Sequence, residues 1–227
     1  MLIRLFDQIQ ADPYQGLVTF GGFIVALLLA FTVHEFSHAL AATRLGDPTP
    51  KTAGRLSLSP LAHLDPLGTM LILLAGFGWA KPVPVNPAYM RISPRSGMAV
   101  TALAGPLSNI AAAAIFAIPI NAGIGDPGDF GRVFVGGSVV GYFLVSGIFW
   151  NLLLASFNLV PLVPLDGFSV ALGILPREAA AEYAKLERYG TGLLLVVIMI
   201  GFLAPGLGLF SLVLDPLIRI LGSLVLW

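Results

Sequence analysis

The chain has 227 residues, of which 57% are hydrophobic and 11% charged, with a mean hydropathy of +0.91; these values lie outside the soluble globular range. Twelve basic residues balance twelve acidic ones, so there is no basic field for nucleic acid. The absence of cysteine excludes disulfides and thiolate ligands and leaves His, Asp and Glu to hold a metal.

Met1 to Gln15 interleaves Leu2, Ile3, Leu5, Phe6 and Ile9 with Arg4, Asp7 and Gln8, the pattern of a short helix in the membrane interface. Leu17 to Val33 is uncharged, and His34-Glu35-Phe36-Ser37-His38 comes next without a helix breaker. On an α-helix His34 and His38 lie about 40° apart around the axis, so both imidazoles leave one face and can close on one ion. H-E-x-x-H on a helix is a zinc-protease signature: the imidazoles hold the metal and the glutamate, here Glu35, takes a proton from water. Ordinary surface residues are the competing explanation, disfavoured because ionisable groups within an apolar helix are costly unless partnered. The helix should run from about Leu17 to Leu45 and stop at Gly46-Asp47-Pro48. Arg44, Lys51 and Arg55 gather at that end, which the positive-inside rule makes cytoplasmic.

Lys51 to Pro66 is polar and turn-rich, with Leu56-Ser57-Leu58-Ser59 alternating like a strand. Leu67 to Ala80 is apolar but short and has basic residues on both sides, which favours a re-entrant element over a full span. Three prolines in Lys81-Pro82-Val83-Pro84-Val85-Asn86-Pro87 force extended backbone, which is either a surface loop or an edge that pairs with a substrate strand. A second span covers about Met98 to Ile120. It contains Ala104-Gly105-Pro106-Leu107-Ser108-Asn109, whose small residues allow close helix packing and whose amide needs a partner in hydrocarbon. Asn121 to Arg132 reads as an external loop.

Val133 to Leu165 is uncharged and ends in Asn158-Leu159-Val160-Pro161-Leu162-Val163-Pro164-Leu165-Asp166-Gly167. The prolines break the helix, and Asp166 is expected on an unwound helix end at the membrane side that holds the histidines, with Gly167 permitting a tight turn after it. Two imidazoles want a third protein ligand and water, and Asp166 is the best-positioned candidate. Asn158, two turns earlier, could bond a substrate carbonyl or steady a helix. His63 is either an alternative ligand or a loop residue, and the second reading is preferred because Asp166 completes the set. Pro176 to Arg188 should form a cytoplasmic amphipathic helix, and Tyr189 to Leu214 one kinked span or a hairpin of two. Asp215 and Arg219 stand four apart, the spacing of a pair on one helix face.

These motifs resemble the site-2 proteases, intramembrane zinc metalloproteases that cut membrane-embedded substrates. His34-Glu35-Phe36-Ser37-His38 matches the family's zinc motif, Asn158-x-x-Pro161-x-x-Pro164-x-Asp166-Gly167 its second motif, and Gly105-Pro106-x-x-Asn109 is similar to a third, weaker pattern. The resemblance implies Zn2+ held by His34, His38 and Asp166, Glu35 as general base, and Asn158 positioning the substrate; Asn109 is a second candidate for substrate binding. The expected fold is an all-α polytopic membrane protein, a bundle of about 4–6 membrane segments with a short extended or re-entrant element after the first span. One domain over residues 1–227 is expected, with a catalytic core at about 17–170, C-terminal membrane segments at about 189–227, and no PDZ or CBS domain. The expected partners are a transmembrane protein or peptide substrate and the lipid bilayer, in the plasma membrane with the active site towards the cytoplasm. A metal-ion transporter or cation-conducting bundle is the alternative, but it predicts ligands spread along a pore, whereas these gather near one depth.

Overall fold

The computed structural model describes residues 13–75, 78–124, 139–203 and 209–226. Most of the expected interfacial segment from Met1, the loop after Ile124 and the start of the third apolar run therefore lie outside the described residues. Helix α1 spans Pro13–Leu45, 33 residues or about 50 Å at 1.5 Å per residue, which exceeds a hydrocarbon core of about 30 Å. It ends as its sequence predicts. Gly46 takes φ 112°, Gly46 N–H bonds Thr43 O at 3.1 Å and Asp47 N–H bonds Ala42 O at 3.0 Å, the paired closure that a left-handed glycine permits.

The next forty residues fold back on this helix end. Asp47 is fully buried; its carboxylate accepts from Thr49 N–H at 2.9 Å, at the start of the single turn α2 (Thr49–Thr52), and from Asn86 N–H at 2.7 Å. Burial works against the charged form, but these donors outweigh it and hold the carboxyl below its usual range. The buried Arg55 guanidinium donates to the carbonyls of Ala62 and Lys81. Leu56 to Ser59 forms no strand: among the described residues, extended pairing is limited to one antiparallel bridge between Leu64 and Ala80.

That bridge decides what the short apolar stretch does. Helix α3, Pro66–Ala75, has ten residues, about 15 Å or half a membrane core. Its flanks meet again at Leu64 and Ala80, and Lys81 N–H donates to His63 O at 2.7 Å. The two described flanks of α3 thus lie side by side, as the flanks of a re-entrant element would.

Helices α4 (Pro94–Asn121) and α5 (Val139–Asn158) complete the central bundle, and together with α1 they are the three described helices long and apolar enough to cross a membrane. Small residues set the close approach of α1 and α4. Ala26, Ala30, His34, His38 and Ala42 recur every fourth position on α1, Gly97, Thr101, Gly105, Asn109, Ala113 and Ala117 on α4, and all are buried. Such i, i+4 rows let two backbones pack tightly without a hydrophobic drive between them. Further along, Ala113, Ala117 and Ile120 of α4 pack with Leu144, Val145, Ile148 and Leu152 of α5.

After α5 the chain turns through Pro161 and Pro164 into α6 (Asp166–Ile174). Asp166 is thus the first residue of a new helix and not the trailing end of the third span. Gly167 is needed for a reason other than a turn: its φ is not positive, but a Cβ there would collide with the carbonyls of Leu159 and Val160. The expected amphipathic helix divides into α7 (Arg177–Ala184) and a 3-10 stretch, Lys185–Tyr189, and the Tyr183 hydroxyl donates to Pro161 O. The last apolar region forms two helices, α8 (Gly190–Leu203) and α9 (Leu209–Val225). Leu194 and Ile198 of α8 cover Leu165 and the proline-broken connector. Asp215 and Arg219 form no ion pair, contrary to what their spacing suggests.

Candidate metal centre

His34 and His38 leave the same face of α1, and Asp166 reaches them from the start of α6. His34 Nε2 and His38 Nε2 are 3.1 Å apart, and Asp166 Oδ2 lies 3.1 Å from the first and 3.2 Å from the second. The other ring nitrogens are taken. His34 Nδ1 lies 2.6 Å from Asn109 Oδ1 and His38 Nδ1 2.7 Å from the Thr101 carbonyl oxygen. Oxygen accepts in both bonds, so the protons sit on Nδ1 and both Nε2 atoms turn lone pairs inward. Three acceptor atoms in mutual contact repel one another unless a cation lies among them. Asp166 Oδ2 is buried without a hydrogen-bond donor, as a metal ligand would be. Four tetrahedral ligands at about 2.0–2.1 Å from zinc stand about 3.3 Å apart, close to the spacing observed. The residues therefore fit zinc, and they are the one such group of three among the described residues.

Glu35 comes directly after His34 on the same helix, is half-buried, and has no hydrogen bond or ion pair among the described residues. Asn158 is partly buried at the end of α5, its amide donating to Leu154 O at 3.1 Å. Asn109, the second candidate for substrate binding, stands next to His34. It is fully buried behind His34, its amide committed to the imidazole, to Ala30 O at 3.0 Å and to Asn151 Oδ1 at 2.8 Å. These contacts turn the Asn109 amide towards His34 and two neighbouring helices. His63 stands outside the metal group, buried in the loop with Nε2 donating to Ser57 O at 2.7 Å.

Two further residues shape the centre, Gly105 of the third motif and Asn151, which no motif includes. Gly105 lets α4 lie flat on the imidazoles: a Cβ there would fall 2.5 Å from His38 Nε2 and 2.7 Å from His34 Cε1. Asn151, fully buried on α5, contacts Asn109. Its signal is an amide within an uncharged run, the same signal that singles out Asn109.

These features define a polytopic helical membrane protein with a buried two-histidine, one-carboxylate centre of hydrolytic zinc type. "Putative zinc metalloprotease YwhC" of Bacillus subtilis is 37% identical over 209 residues, covering 90% of this chain and 83% of that protein. "Putative zinc metalloprotease Rip2" of Mycolicibacterium smegmatis is 30% identical over 85% of the chain and 73% of its own length. "Putative zinc metalloprotease MJ0611" of Methanocaldococcus jannaschii is 30% identical over 65% and 69%. No family model and no solved structure matches the chain. The chain belongs to the site-2 protease family of zinc metalloproteases, and its cofactor is zinc.

Proposed function

We propose that the protein hydrolyses peptide bonds of membrane-embedded protein substrates, with His34, His38 and Asp166 holding zinc and Glu35 as general base. The observation that carries this reading is the convergence of three inward-facing acceptor atoms at 3.1–3.2 Å beside an uncommitted carboxylate. Zinc bound there would supply Lewis acidity and lower the pKa of water towards neutrality. Glu35 takes a proton from the attacking water and returns it to the leaving amine. Asn109 Oδ1 and Thr101 O keep both imidazoles turned to the centre. Asn158 positions the substrate backbone, and the extended segment 81–87 offers an edge to an unwound substrate. Unwinding is required, because a transmembrane helix hides its carbonyls in its own hydrogen bonds. The positive-inside rule sets the site towards the cytoplasm, and the plasma membrane is the expected location.

Glu35→Gln tests the mechanism. The variant should bind zinc like the wild type, by metal analysis of purified protein, and lose cleavage by about two to four orders of magnitude. A comparison of membrane-protein fragments in cells carrying wild type or variant would identify substrates. Retained turnover would refute the general-base role.

A further inference from the structure

We infer that Asn151 is a positioning residue for the metal centre: acting through Asn109, it fixes the tautomer and ring orientation of His34. The inference rests on the proposed metal centre and concerns two amides that contact neither metal nor substrate. Asn151 Nδ2 donates to Gly147 O at 2.8 Å, Asn151 Oδ1 accepts from Asn109 Nδ2 at 2.8 Å, and Asn109 Oδ1 lies 2.6 Å from His34 Nδ1. Asn109 Nδ2 also donates to Ala30 O at 3.0 Å.

The direction of this relay is set by its ends. Backbone carbonyls only accept, so Gly147 O requires the amide nitrogen of Asn151 and Ala30 O that of Asn109. Turning either amide over would set two oxygens against each other. With both amides locked, Asn109 presents oxygen to His34, the imidazole proton stays on Nδ1, and Nε2 is left bare for a cation. Asn109 and Asn151 are both 0% exposed, so water cannot replace a lost partner. The relay also links three membrane helices, with Ala30 and His34 on α1, Asn109 on α4, Gly147 and Asn151 on α5. For His38 the equivalent acceptor is the Thr101 backbone carbonyl, which needs no orienting. Only the His34 side depends on a side-chain device.

The test uses purified full-length protein in detergent, zinc as the ligand and a competing chelator to read affinity. Partners of metal-bound imidazoles typically contribute 10–100-fold in affinity, so Asn109→Leu should weaken zinc binding by about that factor and Asn151→Leu by about tenfold. Asn151→Ser is a milder second variant, because its hydroxyl can bond Gly147 O within its own helix but is too short for Asn109. It should weaken zinc in the same direction. The Asn109→Leu/Asn151→Leu double variant should bind no more weakly than Asn109→Leu alone, since both act through one bond. In metal-free protein, 15N imidazole shifts should report Nδ1–H at His34 in the wild type and a tautomer mixture in each single variant. A purely structural Asn151 would lower the thermal midpoint while leaving zinc affinity and the His34 tautomer unchanged, and that result would overturn the inference. Additive losses in the double variant would do the same. Failure of the wild type itself to bind zinc would instead defeat the proposed metal centre.

Discussion

At the scale of single residues, the centre depends on what is missing from one side chain. Gly105 lies against both imidazoles, and a methyl group 2.5 Å from His38 Nε2 has no room unless a ring turns or α4 retreats. Either movement breaks the bonds that Thr101 O and Asn109 Oδ1 make to the rings. Gly105→Ala should therefore lower zinc affinity by about 10–100-fold and stability by about 1–3 kcal/mol. Gly21→Ala on α1 is the matched control, because a Cβ at Gly21 meets nothing within 4 Å. Chelator competition and thermal unfolding of the two variants give the comparison; equal zinc affinities would show that the close approach is incidental. The grouping of His34, His38 and Asp166 was legible in the sequence, since zinc chemistry restricts ligand types and a helix restricts their spacing. The contact of Asn109 with His34 was not. It bonds His34 across 75 positions, and no local pattern distinguishes an amide that braces a ligand from one that greets a substrate.

At the scale of elements, the least secure ligand is Asp166, because α6 has only nine residues and begins at that carboxylate. Its far end is held by Arg95, whose guanidinium donates to the carbonyls of Leu172, Gly173 and Leu175 from the first turn of α4. A cation there satisfies helix-end carbonyls and opposes the negative end of the helix dipole. The same α4 that braces the histidines thereby sets the register of the carboxylate. Arg95→Ala should release about 1–3 kcal/mol of this docking and weaken zinc several-fold; Arg95→Lys, with one compact ammonium, should recover part of it. Zinc titration of both variants measures the effect, and unchanged affinity in Arg95→Ala would show that α6 needs no such anchor. The end of α1 was readable from Gly46, whereas α4 begins at Pro94, ahead of the expected start at about Met98. The restart of a helix at Asp166 was not, because two prolines announce a break without specifying the conformation on its far side. The unmet pairing of Asp215 with Arg219 has the same lesson: spacing permits a contact without supplying the energy to hold two long side chains together.

For the whole molecule, three described helices are long and apolar enough to cross a membrane, and their order in the chain makes a topology testable. If α1, α4 and α5 each cross once, they do so in alternate directions, and residues 46–93 then share a side with the connector after Asn158 while the end of α4 at Asn121 opens on the other. The Leu64–Ala80 bridge and the ten-residue length of α3 argue against a crossing there; had α3 spanned, Lys81 to Ser93 would face the side opposite to Lys51 and α4 would run the other way. The absence of cysteine makes this directly measurable. Single cysteines introduced at Leu61, Tyr89 and Ile124, which are 82%, 58% and 58% exposed, should label with an impermeant maleimide from one side for the first two and from the opposite side for the third. The metal centre needs that arrangement: if Leu61 and Tyr89 labelled from opposite sides, α4 would be inverted relative to α1, and Thr101, Gly105 and Asn109 could not meet His38 and His34 in the observed order.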